Sequence, residues 1–384
     1  MAGLFPPQDR DWGLPSEVPL TPLAAERVAR EATDRVFDDA ARSLNLDWQT
    51  ELDGKQVQRW SQRIGDRLIA ARDQEIRLEQ RGVHPEGPLN APALLVVGLD
   101  GGRVHTRDKD PRTQSRWRED KVASFTSYLP GDGKEQNPKA LVTTYTATMK
   151  DAQGFGPMVK LEGNRRGLSR AAVVLNISDG GNWIDPLASQ LKLADHRIID
   201  YYHAVEHVHT LAAAVHGKDT PESKTLGVEL ESLLWEGKVD PMIQMVQQHV
   251  RPSEKALPEE TAESPQILHR ELGYFEKHRE HMQYGVYRAK GWPIGSGNTE
   301  AGVKTFNKRV KGTEQRWRLP GVEAILALRA AWKSQDGRWE RLWANRPAYV
   351  LAKARKRLHK LSQAHRHIAC CKSLCRGRIL AYTP

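Results

Sequence analysis

Cysteine is scarce in this chain. Three residues among 384, all near the C-terminal end, are too few and too clustered for the disulfide framework of a small secreted domain, so a reducing compartment is expected. Long apolar runs are missing as well. No segment approaches the roughly 20 residues of a membrane span, and the opening MAGLFPPQDRDWG has neither a basic flank nor an apolar stretch, which leads us to expect a soluble cytoplasmic protein with no membrane contact. A strong excess of one charge is also absent. The 58 Lys and Arg against 48 Asp and Glu leave a formal charge of +10, which admits a polyanionic partner without requiring one.

What is present falls into stretches of different period. Apolar residues recur at helical spacing from about Pro22 to Leu44 and again from Gly54 to Leu78, predicting two helices joined by NLDWQTEL. Such a pair is either a helix-turn-helix reader of DNA or a helical cap on the main domain. After the linker GVHPEGPLNAP the pattern turns to strands. LLVVGLDGG reads as a buried strand ending at Asp100, RVHTR as its antiparallel neighbour, Trp117 to Tyr128 as a helix or loop, and ALVTTYTATM as a third strand. AAVVLNISDGGNWI is a further buried strand ending in a turn at Asp179, and RIIDYYHAVEHVHTLAAAV passes from a short strand into a long helix. Burying these strands predicts an α/β fold, a mixed sheet flanked by helices.

Asp100 and Asp179 are each placed at the carboxyl end of an apolar strand, where an open sheet presents its crevice. Each also suits a turn, since Asp-Gly is a favoured turn pair. Two such acids, on strands that could be neighbours, need a reason to converge, and a divalent cation is one. Glu300 is the candidate third ligand. In GWPIGSGNTEAGVKTFNKRVKG, Ser296 or Asn298 is expected to cap a helix beginning near Thr299, which puts Glu300 in its first turn. Lys304, Asn307, Lys308 and Lys311 follow on roughly one helical face, next to Arg309; a solvated basic helix with a capping acid has the same pattern. Hard oxygen ligands hold magnesium or manganese, and two such ions about 3.5–4 Å apart support phosphodiester attack without a side-chain nucleophile.

Taken together, LLVVGLDGG with Asp100, SDGGNWI with Asp179, IDYYH with Asp200 and His203, and IGSGNTEAGVKTFNKRVKG with Glu300 resemble a prokaryotic insertion-sequence transposase of the DDE class, related to the Mutator-like group. The resemblance runs from about Leu94 to Trp332. It implies a ribonuclease-H-like catalytic domain, Asp100, Asp179 and Glu300 as catalytic acids holding two Mg2+ (or Mn2+), and a supporting role for the Asp200–His203 pair. The implied partners are double-stranded DNA, both transposon ends and target, with a homodimer or higher oligomer assembled on it. Pattern and composition, with the resemblance for the core, give the expected organisation: a helical region at 1–90, a core in two parts at 91–219 and 291–345, a helical insertion at 220–290 and a basic tail at 346–384. The group often carries cysteine-rich N-terminal modules, and this chain has none there.

Other residues carry weaker signals. Trp183 is the candidate to stack on an unpaired base and Arg316 and Arg318, beside Trp317, to bind phosphate, as Lys304, Lys308, Arg309 and Lys311 would; core packing is the alternative for any Trp. His207 and His209 read as surface residues of the helix. From Lys353 to Arg378 there are nine basic residues and no acid, which suits phosphate contact, and the nearby His365, His367, Cys370, Cys371 and Cys375 do not match a closed zinc module. Three functions remain open: a transposase, a nuclease or junction resolvase with the same metal chemistry, and a noncatalytic DNA-binding protein.

Overall fold

The computed structural model describes residues 20–344 except 135, 182, 254–263 and 313–314. The C-terminal basic stretch and its His/Cys cluster therefore lie outside the described residues. Five strands form one sheet: β1 (Leu94–His105), β2 (Trp117–Leu129), β3 (Lys139–Thr148), β4 (Val174–Ser178) and β5 (His196–Ile199), in the order β3-β2-β1-β4-β5. The helices are α1 (Pro22–Asp34), α2 (Phe37–Trp48), α3 (Gly54–Gln80), α4 (Ala152–Arg165), α5 (Ile184–Leu191), α6 (Tyr201–His216), α7 (Pro221–Glu236), α8 (Val239–Ser253), α9 (Ser264–His278), α10 (Tyr284–Ala289), α11 (Gly297–Val310), α12 (Leu319–Lys333) and α13 (Arg338–Ala344). Among the described residues no helix is long and apolar enough to cross a membrane.

β1 is antiparallel to β2 and parallel to β4, β2 is antiparallel to β3, and β4 is parallel to β5. This mixed sheet flanked by helices is the expected fold class and is compatible with a ribonuclease-H-like arrangement. Two details differ from the expectation. The partner of β1 is not RVHTR, which continues β1 itself, but Trp117–Leu129, where β-branched and aromatic residues in VASFTSYL outweigh the helix or loop reading. β1 also runs on to His105, so Asp100 sits inside a strand. Its parallel pairing with β4, however, stops at Gly98 opposite Ile177, two residues before Asp100.

Strand alternation assigns the core. Leu95, Val97 and Leu99 pack with α4 and α5, through Phe155, Met158 and Leu187. Leu94 and Val96 lie in the opposite layer, with Val208 and Leu211 of α6 and the helices that follow it. Farther along β1 on that second face, Val104 joins Val303, Phe306 and Val310 of α11 in a core shared with α1–α3 and α12.

The first predicted helix is two. Arg35 and Val36 take extended backbone, and the end of α1 is held by buried guanidinium groups: Arg309 Nε donates to the Ala32 carbonyl at 2.8 Å, and Arg329 donates to the Thr33 carbonyl and to Asp34. Capping carbonyls in this way stops the helix. Asp53 and Gln56 form a reciprocal capping box at the start of α3.

Candidate active site

Asp100, Asp179 and Glu300 line one cavity of about 250 Å3, together with Asp200, His203 and Ser296. Topology accounts for the meeting. Asp179 follows the last residue of β4 and Asp200 the last of β5, while Asp100 lies just past the parallel part of β1. Glu300 arrives from α11, which the sequence makes room for. Gly98 and Gly102 flank Asp100 on the same face of β1; a Cβ on Gly98 would stand 1.7 Å from Thr299 Oγ1 and one on Gly102 2.3 Å from Asn307 Oδ1. A side chain at Gly98 would push the helix off the strand, and one at Gly102 would displace the Asn307 amide. Ser124 on β2 and Thr299 on α11 share a hydrogen bond of 2.8 Å.

Each acid keeps a defined contact. Asp100 Oδ1 accepts from the Gly101 N–H at 2.6 Å, and Asp179 Oδ1 accepts from the Gly181 N–H at 2.9 Å, beside Gly180 at φ +91. The Asp-Gly turn reading of Asp179 is thus correct locally, and coexists with its place in the cavity. Glu300 Oε2 accepts from Lys304 Nζ at 3.0 Å and Oε1 from Ser296 Oγ at 3.3 Å. The helix begins at Gly297 rather than Thr299, and Ser296 precedes it without capping through its side chain; Asn298 instead donates to the Tyr128 hydroxyl at 2.7 Å.

Asp200 is a brace. It precedes α6 as its N-cap: Oδ1 accepts from the His203 N–H at 2.8 Å, while Oδ2 accepts from the Ser296 N–H. One carboxylate thereby ties the start of α6 to the turn that delivers Glu300. His203 Nε2 meets His207 Nε2 at 3.2 Å, and His207 Nδ1 donates to the buried Glu271 of α9. His207 is therefore not an idle surface residue, and its distant partner Glu271 could not be read from local spacing. Asp120 on β2 was missed too. It lies opposite Gly102, fully buried, and among the described residues no other side chain pairs with either of its oxygens.

Electrostatics mark the cavity as unbalanced. Burial pushes the Asp100 carboxyl up to about 6, and the charges of Asp179, Glu300 and Glu119 add to the rise against the Gly101 N–H. Asp120 is raised to about 6 as well, by burial first and then by Asp100 and Glu119. Acids repelling one another in a partly desolvated pocket are relieved by a cation, and their oxygens are the hard donors that magnesium or manganese takes. The donor set therefore fits the expected ions. Among the described residues, however, no group of three His, Cys, Asp or Glu side chains is gathered in the arrangement of a formed metal site. Lys304, 77% exposed, holds Glu300 in the present rotamers.

The basic residues divide. Lys304, Lys308, Lys311, Arg316 and Arg318 are exposed. Arg309 is not, being 3% exposed between the rings of Phe37 and Trp317, so it caps α1 and cannot grip DNA. Trp317 is buried, its indole donating to the Val310 carbonyl. Trp183 is engaged by protein groups: its indole donates to Glu119 Oε1 at 3.0 Å, Lys121 sits 4.9 Å above the ring and Phe155 meets it edge-on. These are packing contacts beside the site, and the ring is partly exposed.

No family model matches the chain, and no curated protein matches it. Among solved structures, a Drosophila P element transposase strand transfer complex aligns over 84% of this chain and 80% of that chain, at 13% identity and a TM-score of 0.24. A likeness at that score carries no argument about fold or function. The fold class rests on the strand order and pairing described above.

Proposed function

We propose that the chain is a DDE-type DNA transposase, which cuts DNA at the ends of an insertion sequence and joins the resulting 3′-hydroxyls to target DNA. The observation that carries the reading is the meeting of Asp100, Asp179 and Glu300, from three separate parts of the chain, in one cavity at the carboxyl end of the parallel strands. Asp100, Asp179 and Glu300 would hold two Mg2+, or Mn2+. The chemistry those ions supply when bound is activation of the attacking oxygen and stabilisation of the leaving one. Asp200 and the His203–His207–Glu271 chain keep the acids' supporting elements in register, so they act as positioning groups. Lys308, Lys311, Arg316 and Arg318 offer cations to the phosphate backbone along the exposed side of α11 and the segment after it. Lys304 would exchange Glu300 for phosphate once the acids bind metal, a cheap move for an exposed i,i+4 pair. Two protomers on paired ends would complete the assembly.

The test is incubation of the full-length protein with labelled DNA from the ends of its own element and a target plasmid, in magnesium or manganese, beside Glu300→Gln. Joined products that need metal and vanish in the variant are expected. Cutting without joining would replace the reading with a nuclease or junction resolvase, and specific binding without any reaction would leave a noncatalytic DNA-binding protein.

A further inference from the structure

We propose that Tyr202 and Trp235 form a stacking track for unpaired DNA nucleotides that leads out of the acid cavity; the proposal rests on the DNA-processing reading above. Tyr202 lies between Asp200 and His203 in sequence, and both of those line the cavity, yet its own ring is 66% exposed. The ring rests against Gly295, the residue before cavity-lining Ser296. A Cβ at Gly295 would stand 2.8 Å from Tyr202 Cε2 and 3.0 Å from Cδ2, so the missing side chain is what lets the ring lie there.

From Tyr202 the aromatic surface continues away from the cavity. Tyr201 meets Tyr202 edge-on at 5.5 Å and Trp235 of α7 at 5.1 Å. Tyr201 is 6% exposed and acts as the spacer, whereas Trp235 is 41% exposed. Arg288 of α10 lies 3.7 Å from the centre of the Trp235 ring and donates to the Trp235 carbonyl at 3.1 Å, which holds a guanidinium at the far end of the row. The exposed Tyr202 ring, followed by a Trp235 ring that carries the Arg288 guanidinium over one face and stays 41% exposed, matches the needs of single-stranded nucleic acid, whose bases stack on rings and whose phosphates seek positive charge. A duplex has its base faces covered and gains nothing from such a row. The track thus assigns α7 and α10, between α6 and α11, a role in holding strand that has left the helix.

The experiment is equilibrium binding of the full-length protein, by fluorescence anisotropy in EDTA so that no strand is cut, to a mixed-sequence duplex that is blunt or carries a short unpaired thymidine tail. The wild type is expected to prefer the tailed duplex, and Tyr202→Ala and Trp235→Ala each to reduce that preference by about fivefold or more. Tyr202→Phe should retain it, and Gly295→Ala, which displaces the ring, should lose it. Binding of the blunt duplex should not move in any of these variants. No preference in the wild type, or alanine variants that hold the tailed duplex as the wild type does, would overturn the proposal, as would a parallel loss of both probes in alanine and phenylalanine variants alike. Glu300→Gln is expected to keep the tail preference, so failure of the strand-joining reading and failure of the track give different results.

Discussion

Two groups of buried or half-buried acids in this molecule have opposite electrostatics. One cavity, about 810 Å3, lies among α3, α4, α12, α13, β3 and the linker after α3. On its wall Glu162 receives both Arg338 and Arg165, and Asp336 receives Arg338 again. Burial alone would raise Glu162, but the two guanidinium groups outweigh it and hold the carboxyl below its usual range. In the smaller cavity burial raises Asp100 and the neighbouring acids raise it further, to about 6. The first group is complete as folded and reads as structure. In the second, no guanidinium or ammonium group among the described residues offsets the burial of Asp100, and like charges crowd it, which is the imbalance of a candidate site and not of a buried ion-pair network.

That contrast is sharpened most by removing ligands from the second group. Asp100→Asn or Glu300→Gln should lower metal-dependent strand cleavage by roughly 10³-fold, the loss expected for several kcal/mol of transition-state stabilisation, in a single-turnover assay on labelled DNA. Removing a cation from the first group should act on folding instead. Arg338→Met leaves Glu162 and Asp336 without their main partner and is expected to cost about 3–5 kcal/mol in urea unfolding. A cost near zero would mean that the network is not what holds α13 against α4.

Acidity gives a third comparison, with a sign that differs between the groups. Asp100 rises from 3.8 to about 6 on folding, so its favourable contribution is complete below 3.8 and is lost as pH rises through 6. Asp100→Asn should therefore stabilise the metal-free protein above pH 6, by roughly 1–3 kcal/mol, and have little effect below pH 4. For Glu162, held below its usual range, stability is present at neutral pH and is lost as pH falls. The smallest effects belong to the exposed helix face: Lys308→Ala and Lys311→Ala should leave stability within about 0.5 kcal/mol and each lower the salt dependence of duplex binding by about one phosphate contact.

Much of this was legible in the sequence. The apolar runs ending near Asp100 and Asp179 and the glycine turn before Glu300 located the elements that meet in the cavity, because strand period and turn chemistry are local properties. The spacing of Gly98, Asp100 and Gly102 also held a signal that went unread: glycines alternating around an acid make one bare strip for a crossing helix. Arg309 misled for the opposite reason. Its place in a basic run says nothing of the α1 carbonyl it caps, a contact made across most of the chain. β2 is harder to read because the charged start WREDK masks the strand pattern of VASFTSYL, and its pairing with β1 is made with residues remote in sequence. Asp120, Glu271 and Tyr202 owe their settings to neighbours remote in sequence, and no window of residues displays those.

The most direct measurement of the central claim is calorimetric titration of manganese into the full-length, metal-free protein at a pH just below 6, in two buffers of different ionisation enthalpy. Saturable binding that releases protons is predicted, because Asp100 must give up its proton to become a ligand, and both the binding and the release should weaken in Asp100→Asn and Glu300→Gln. Manganese that fails to bind, or that binds equally well without these acids, would contradict the account.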